Sequence, residues 1–169
     1  MRAKGPNLIF LMKTKKNRAY LEKVRCDLRF DNLFVVPRRN LGGGLALLWM
    51  TSLNLHIRTF SPYHIDAMVD PGIEDAWQFT GFYGAPETTN WEDSWSLLRH
   101  LNSQLDLPWV YIGDFNEIVG LEEKTCTAIC PERQMQAFQN CLDDCGLKDL
   151  GFLRLPFTWS NRRFDGLLV

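Results

Sequence analysis

The sequence predicts an α/β fold built in layers, and three observations carry that expectation. Short apolar, β-like runs recur between turn residues along much of the chain. Segments with helical spacing of apolar residues alternate with them. The runs between about residues 45 and 83 follow one another without an intervening helix, which favours an antiparallel sheet. The 169 residues have room for one domain, and 46% hydrophobic residues with six tryptophans supply its core.

Taken in order, LIFLM (8 to 12) is an apolar run expected to be a buried strand, and it stops at Lys13, Lys15 and Lys16. A polar helix is expected across about Asn17 to Leu28. NLFVVP (32 to 37) reads as the next strand, closed by Pro37, which lacks an N–H for a sheet ladder. Gly42, Gly43 and Gly44 then precede LALLWM, a strand whose expected partner is LNLHIRTF; YHIDAMVD and WQFTGFYG complete the run. The triple glycine reads as a hairpin or a close backbone approach, because it lacks the following lysine and Ser/Thr of a nucleotide-binding loop. After APETTN, Thr89 and Glu92 have capping-box spacing, and Trp91, Trp95, Leu98 and Leu101 share one side of the next helix. Pro108 leads into WVYIGDFNEI. A last helix is expected over about Glu132 to Cys145, with Met135, Phe138 and Leu142 on one stripe and Gly146 at its C-terminal cap. LKDLGF and FTWSN follow, and the final GLLV resembles the start of a strand, so the domain is expected to be incomplete.

Charge is unevenly distributed. Residues 1 to 40 carry eleven Lys/Arg against three Asp/Glu, whereas residues 41 to 169 carry eight against seventeen. A basic arm beside an acidic body suits a polyanionic partner, and equally a domain cut at an arbitrary N-terminal point. No apolar run approaches the roughly 18 residues needed to span a bilayer, and no signal peptide is recognisable. Five cysteines, an odd number, argue against a secreted disulfide framework. A soluble, intracellular protein with reduced thiols and no membrane partner is expected, nuclear or cytoplasmic.

The most informative segment for chemistry is WVYIGDFNEI. If its strand persists through Phe115, Asp114 and Asn116 point to one face at the strand's C-terminal end, where a carboxylate and an amide can orient water, support a hydrated metal or bond phosphate oxygens. Gly-Asp-Phe-Asn is equally good turn chemistry. Tyr83 ends another run in GFYGAPE, its phenol a donor for phosphate or an amphipathic packing group. In FTWSN, Thr158 and Asn161 are candidate phosphate or base contacts and Trp159 is either core or a stacking surface. Cys126, Cys130, Cys141 and Cys145 form two C-x3-C pairs, a spacing less suited to zinc than C-x2-C. His64 and Asp66 alternate on one strand face, without a nucleophile at useful spacing.

In order along the chain, FLMKTK, GGLALLW, GFYGAPE, PWVYIGDFNEI, RQMQAFQNCL, LKDLGF and FTWSN together resemble the endonuclease/exonuclease/phosphatase superfamily, and most closely the endonuclease domain of plant non-LTR retrotransposon proteins. The resemblance covers nearly the whole chain. It implies a four-layered α/β sandwich, two mostly antiparallel mixed sheets flanked by helices, and magnesium-dependent cleavage of phosphodiester bonds in DNA by an activated water. Asp114 then matches the aspartate that orients the attacking water, Asn116 the asparagine on the scissile phosphate, and Tyr83 a tyrosine bonded to it. Thr158 and Trp159 fall where the family has residues near the phosphate and the DNA groove.

The departures from that pattern concern the metal and the histidine. The family's first asparagine would precede residue 1, and its later aspartate and Asp-His pair would follow Val169; none of His56, His64 and His100 matches that pair. Lys13 stands where the family has its principal magnesium ligand, a glutamate. A unit charge about 4 Å from a divalent ion, at an effective dielectric near 20, contributes up to roughly 8 kcal/mol, and the ammonium reverses the sign of that interaction. The resemblance therefore implies a DNA endonuclease by ancestry that neither binds magnesium nor cleaves. The alternatives are a noncatalytic nucleic-acid-binding module and a translated fragment without a selected function.

Overall fold

The structure is a computed structural model, and it describes residues 5–37, 43–72, 74–84, 91–123 and 131–151. It divides into two compact units. The first holds the described residues up to 84 together with 105–114, and the second holds 91–104 and 115–151.

The first unit contains two sheets. One is three-stranded, in the order β1 (Leu8–Leu11), β3 (Leu45–Trp49), β2 (Asn32–Val36), with both pairings antiparallel. The other is four-stranded, in the order β4 (Leu55–Ser61), β5 (His64–Val69), β6 (Trp77–Tyr83), β7 (Trp109–Asp114). Its first two pairings are antiparallel and β6–β7 is parallel, so this sheet is mixed. The expected partnership of LALLWM with LNLHIRTF is not formed. Sequence adjacency suggested a hairpin, but β3 is apolar on both faces and takes the centre of its sheet between β1 and β2, while β4 pairs only with β5. A strand buried on both sides gains more from two partners than from the edge position a hairpin would give it.

Alternation along β3 divides the core. Leu45 and Leu47 point toward the second sheet and pack with Val36, Ile65, Val69 and Phe79, closing a sheet-on-sheet sandwich. Ala46 and Leu48 point the other way and meet Leu21 and Phe30. Leu21 belongs to α1 (Arg18–Asp27), which starts where the Asn17 side chain accepts the Tyr20 N–H at 2.9 Å. At about 1.5–3 kcal/mol for each fully buried large aliphatic residue, these two clusters supply most of the unit's cohesion.

One contact fixes how closely the two sheets approach. A Cβ built on Gly81 of β6 would overlap the Phe10 ring of β1, so Phe10 occupies space that only glycine leaves open.

The opposite face of the four-stranded sheet carries a buried polar network. Asp66 is fully buried and accepts from Thr80 Oγ1 at 2.6 Å, Gln78 Nε2 at 2.8 Å and Arg58 Nη1 at 3.1 Å. Thr80 Oγ1 in turn accepts the Trp109 indole N–H at 2.9 Å. His64 shares the Asp66 face, as the alternation predicts, and its ring lies between Ser61 Oγ at 2.8 Å and Thr59 Oγ1 at 3.1 Å. With its charge compensated and its oxygens bonded, Asp66 is a structural carboxylate.

The second unit is built on α2 (Trp91–Asn102) and α3 (Glu132–Asp144), with a 3-10 turn at Leu121–Glu123. Trp95 stacks on Phe138 at 4.7 Å between ring centroids, and Arg99 pairs with Asp144 at 2.8 Å. The predicted stop of α3 is confirmed in detail: Gly146 has φ 64°, its N–H bonds the Asp143 carbonyl at 3.0 Å, and Leu147 N–H bonds the Leu142 carbonyl at 2.9 Å. The Thr89 end of the expected capping box lies outside the described residues.

Two outcomes follow for stability. Gly81→Ala should destabilise the protein by about 1–3 kcal/mol in denaturant unfolding, and combination with Phe10→Leu should cost less than the sum of the two single changes. Burial holds the His64 imidazole below its ordinary value of 6.5, against the opposing pull of the Asp66 charge. The unfolded chain then takes up a proton that the folded state refuses, so stability should fall as pH drops below about 6.5. His64→Gln should flatten that dependence in melts recorded between about pH 7.5 and 5.5.

Candidate functional site

Strand ends bring three of the sequence-selected residues together in the first unit. β6 ends at Tyr83 and β7 at Asp114, and these two residues are register partners in the parallel pair. Their backbone is held on both sides: Tyr83 N–H donates to the Tyr63 carbonyl at 2.7 Å, and Gly84 N–H donates to the Asp114 carbonyl at 2.8 Å. Lys13 follows β1 in left-handed backbone, φ 52°, a conformation that costs energy for a residue with a Cβ. The next turn is tied down by the glycine segment: Thr14 N–H donates to the Gly44 carbonyl at 3.1 Å and Lys15 N–H to the Gly43 carbonyl at 3.3 Å. Gly43 and Gly44 have φ 77° and 89°, so the close backbone approach expected of these glycines is realised here.

The Lys13 ammonium lies 3.1 Å from Asp114 Oδ2 and 4.7 Å from the centroid of the Tyr83 ring. Partial burial pulls the lysine pKa down. The hydrogen bond to Asp114 and its charge, followed by the contribution of Tyr83, outweigh that pull and leave Lys13 above its ordinary value. The side chain is therefore an ammonium throughout the neutral range. It offers three N–H donors and no lone pair.

This donor set does not fit a divalent metal. Such an ion needs several oxygen ligands, and Lys13 supplies a positive charge at hydrogen-bond distance from the carboxylate that would have to bind it. Among the described residues no three His, Cys, Asp or Glu side chains cluster as a metal site.

The other selected residues belong to the second unit or lie outside the described residues. The β7 strand stops at Asp114, so the alternation that would carry Asn116 onto the same face ends before reaching it. Asn116 has left-handed backbone, φ 54°, and belongs to the second unit. The turn reading of Gly-Asp-Phe-Asn thus describes the backbone beyond Asp114. Thr158, Trp159 and Asn161, with Cys126 and Cys130, lie outside the described residues. Cys141 and Cys145 are free, buried thiols at the C-terminal end of α3. Sequence reading passed over Phe10 and Gly81, which set the separation of the strands carrying Lys13 and Tyr83; the only available signal was a glycine inside a strand pattern.

Solved structures share this fold. The endonuclease domain of TRAS1, a telomere-specific non-LTR retrotransposon, aligns with a TM-score of 0.61 and 10% identity, over 87% of this chain and 74% of that one. A 3'-5' exonuclease from Neisseria meningitidis aligns with a TM-score of 0.59 and 16% identity, over 84% of this chain and 62% of that one. The fold is that of these nucleases. An AP endonuclease from Archaeoglobus fulgidus shares it, with a TM-score of 0.59 and 13% identity over 82% of this chain. The chain spans only about three fifths of the lengths of the Neisseria and Archaeoglobus proteins, 62% and 60%. No protein-family model matches the sequence, and no curated protein matches it. The two sheets of the first unit, one antiparallel and one mixed, with α1 packed on the former, agree with the α/β sandwich expected from the sequence. No helix among the described residues is long and apolar enough to cross a membrane.

The Lys13–Asp114 pair is 45% and 34% exposed at its two side chains, so solvent screens it. Lys13→Met should change folding stability by no more than about 1 kcal/mol, with the difference shrinking as salt is raised in denaturant unfolding.

Proposed function

We propose that this chain is a DNA-backbone-binding module derived from a retrotransposon-type endonuclease domain, in which Lys13 has replaced the metal-dependent chemistry with a fixed charge. The reading takes residues 1–169 as belonging to one nuclease-type domain. The observation that carries it is the Lys13 ammonium seated between Asp114 and Tyr83.

The electrostatic argument is simple. A glutamate with a bound magnesium ion presents one net positive charge to a phosphate, and Lys13 alone presents the same net charge. Attraction for a phosphodiester is thereby retained, while Lewis acidity and activation of a metal-bound water are lost. Asp114, engaged by the ammonium, is no longer free to orient water. Its role becomes the positioning of Lys13, whose remaining N–H donors, with the Tyr83 phenol, serve the phosphate oxygens. Asn116, Thr158, Trp159 and Asn161 are proposed as further contacts along the strand, on the strength of the motif resemblance. Support for a nucleic-acid partner also comes from the excess of basic residues before residue 40 and from a neighbour of the same fold, the Neisseria 3' phosphatase NExo, described bound to a product DNA hairpin.

Purified protein should bind DNA with an affinity that falls steeply with salt, as several phosphate contacts require. Lys13→Met should weaken binding and reduce the salt slope. Supercoiled DNA with magnesium should show no nicking above an Asp114→Ala control. Magnesium-dependent turnover abolished by Asp114→Ala would overturn the loss of catalysis, and weak, salt-independent binding would overturn the DNA-binding role.

A further inference from the structure

Resting on that reading but at a different place on the first unit, a groove of about 620 Å³ opens where the first turn of α1 meets the end of β2. Lys15, Lys16 and Arg18 line it together with Tyr20, Val35 and Pro37. Among the described residues no Asp or Glu lines the groove. The first turn of α1 likewise contains no acidic residue, although the amino end of a helix favours negative charge. Three cations are thus gathered where the helix dipole and their mutual repulsion both oppose them, an arrangement that an anion would relieve.

The lysines are not simply trailing in solvent. The backbone of Lys15 is held in left-handed conformation, φ 50°, by its bond to the Gly43 carbonyl. The Lys16 ammonium lies 4.9 Å from the centroid of the Tyr20 ring, which is half exposed at 50%. Arg18 reaches Glu22 only at 3.8 Å and remains mostly exposed, free to turn toward a ligand. Cations, an exposed aromatic ring and an apolar wall in one groove match the two halves of a nucleotide: its phosphate and its base.

We propose that this groove binds an unpaired nucleotide of a DNA strand, with the phosphate held by Lys15, Lys16 and Arg18 and the base stacked on Tyr20 against Val35 and Pro37. A base within a duplex is already stacked and its faces are hidden, so only a single-stranded segment can use the ring. Engagement of a base transfers Lys16 from the ring to the phosphate. The groove thereby adds preference for single-stranded or frayed DNA to the sequence-independent attraction at Lys13.

The test uses the full chain with a labelled oligothymidylate and, separately, a blunt duplex of similar charge, while thymidine monophosphate distinguishes a free nucleotide from a strand. Tyr20→Ala should weaken oligothymidylate binding about tenfold and leave duplex binding unchanged. Tyr20→Phe should keep wild-type affinity for both. Lys16→Glu with Arg18→Glu should weaken the single strand more than the duplex. In the wild-type protein, NMR amide shifts on adding oligothymidylate should include residues 15–20 and 35. Thymidine monophosphate should produce a weaker form of the same pattern; shifts with the mononucleotide but none with the strand would overturn the strand proposal. Oligothymidylate binding indifferent to all these variants, with no shifts at those amides, would overturn the groove while leaving Lys13-dependent duplex binding intact. Failure of the duplex to bind, with the groove shifts present, would instead overturn the role proposed for Lys13.

Discussion

The close contact of Phe10 with Gly81 sets the distance between the two sheets, and the remaining geometry of the first unit follows from it. Phe10 lies on the face of β1 that looks into the sandwich, alongside the Leu45 and Leu47 cluster. Lys13 emerges three residues later, by which point the strand has already been drawn against β6. Tyr83 lies two residues beyond Gly81 on the same face of β6. A side chain at Gly81 would hold the sheets apart at the point from which Lys13 must reach Asp114. Apolar packing thus determines whether a half-exposed ion pair of small intrinsic worth can form at all.

Much of this was legible from residue order. The apolar runs gave the seven strands of the described residues, helical spacing gave α2 and α3, and Gly146 marked the end of α3 through the left-handed conformation it adopts. Sheet order was not legible in the same way. LALLWM and LNLHIRTF look like a hairpin because they are neighbours in sequence; the unbroken apolar run of LALLWM signals burial on both faces but not which strands flank it. The site was visible in outline, since Tyr83 and Asp114 each end an apolar run and a strand end is where such groups are presented. That Lys13 would bond one and lie over the other depends on pairing across long separations, which local patterns do not encode. Asn116 shows the converse limit, because the alternation that would group it with Asp114 ends when the strand does.

The two basic features of the N-terminal region have different physical characters. Lys13 is matched by Asp114, so its charge is local, oriented and partly spent. Among the described residues no carboxylate lines the groove of Lys15, Lys16 and Arg18, and these cations stand at the positive end of a helix. The first arrangement favours geometry and the second favours long-range attraction. Together they divide the tasks of drawing in a polyanion and fixing its position.

The Lys13–Asp114 contact joins residues 101 positions apart. Between them the chain completes both sheets of the first unit, and its crossover to β7 passes through the second. Synthesis from the amino end therefore exposes an unmatched lysine for as long as β7 is still to be made, and the pair can close only after β7 has docked in parallel beside β6. Closure of this contact is accordingly a late event and a marker of completed folding: a partly folded chain retains its basic character but lacks the carboxylate that gives Lys13 its direction.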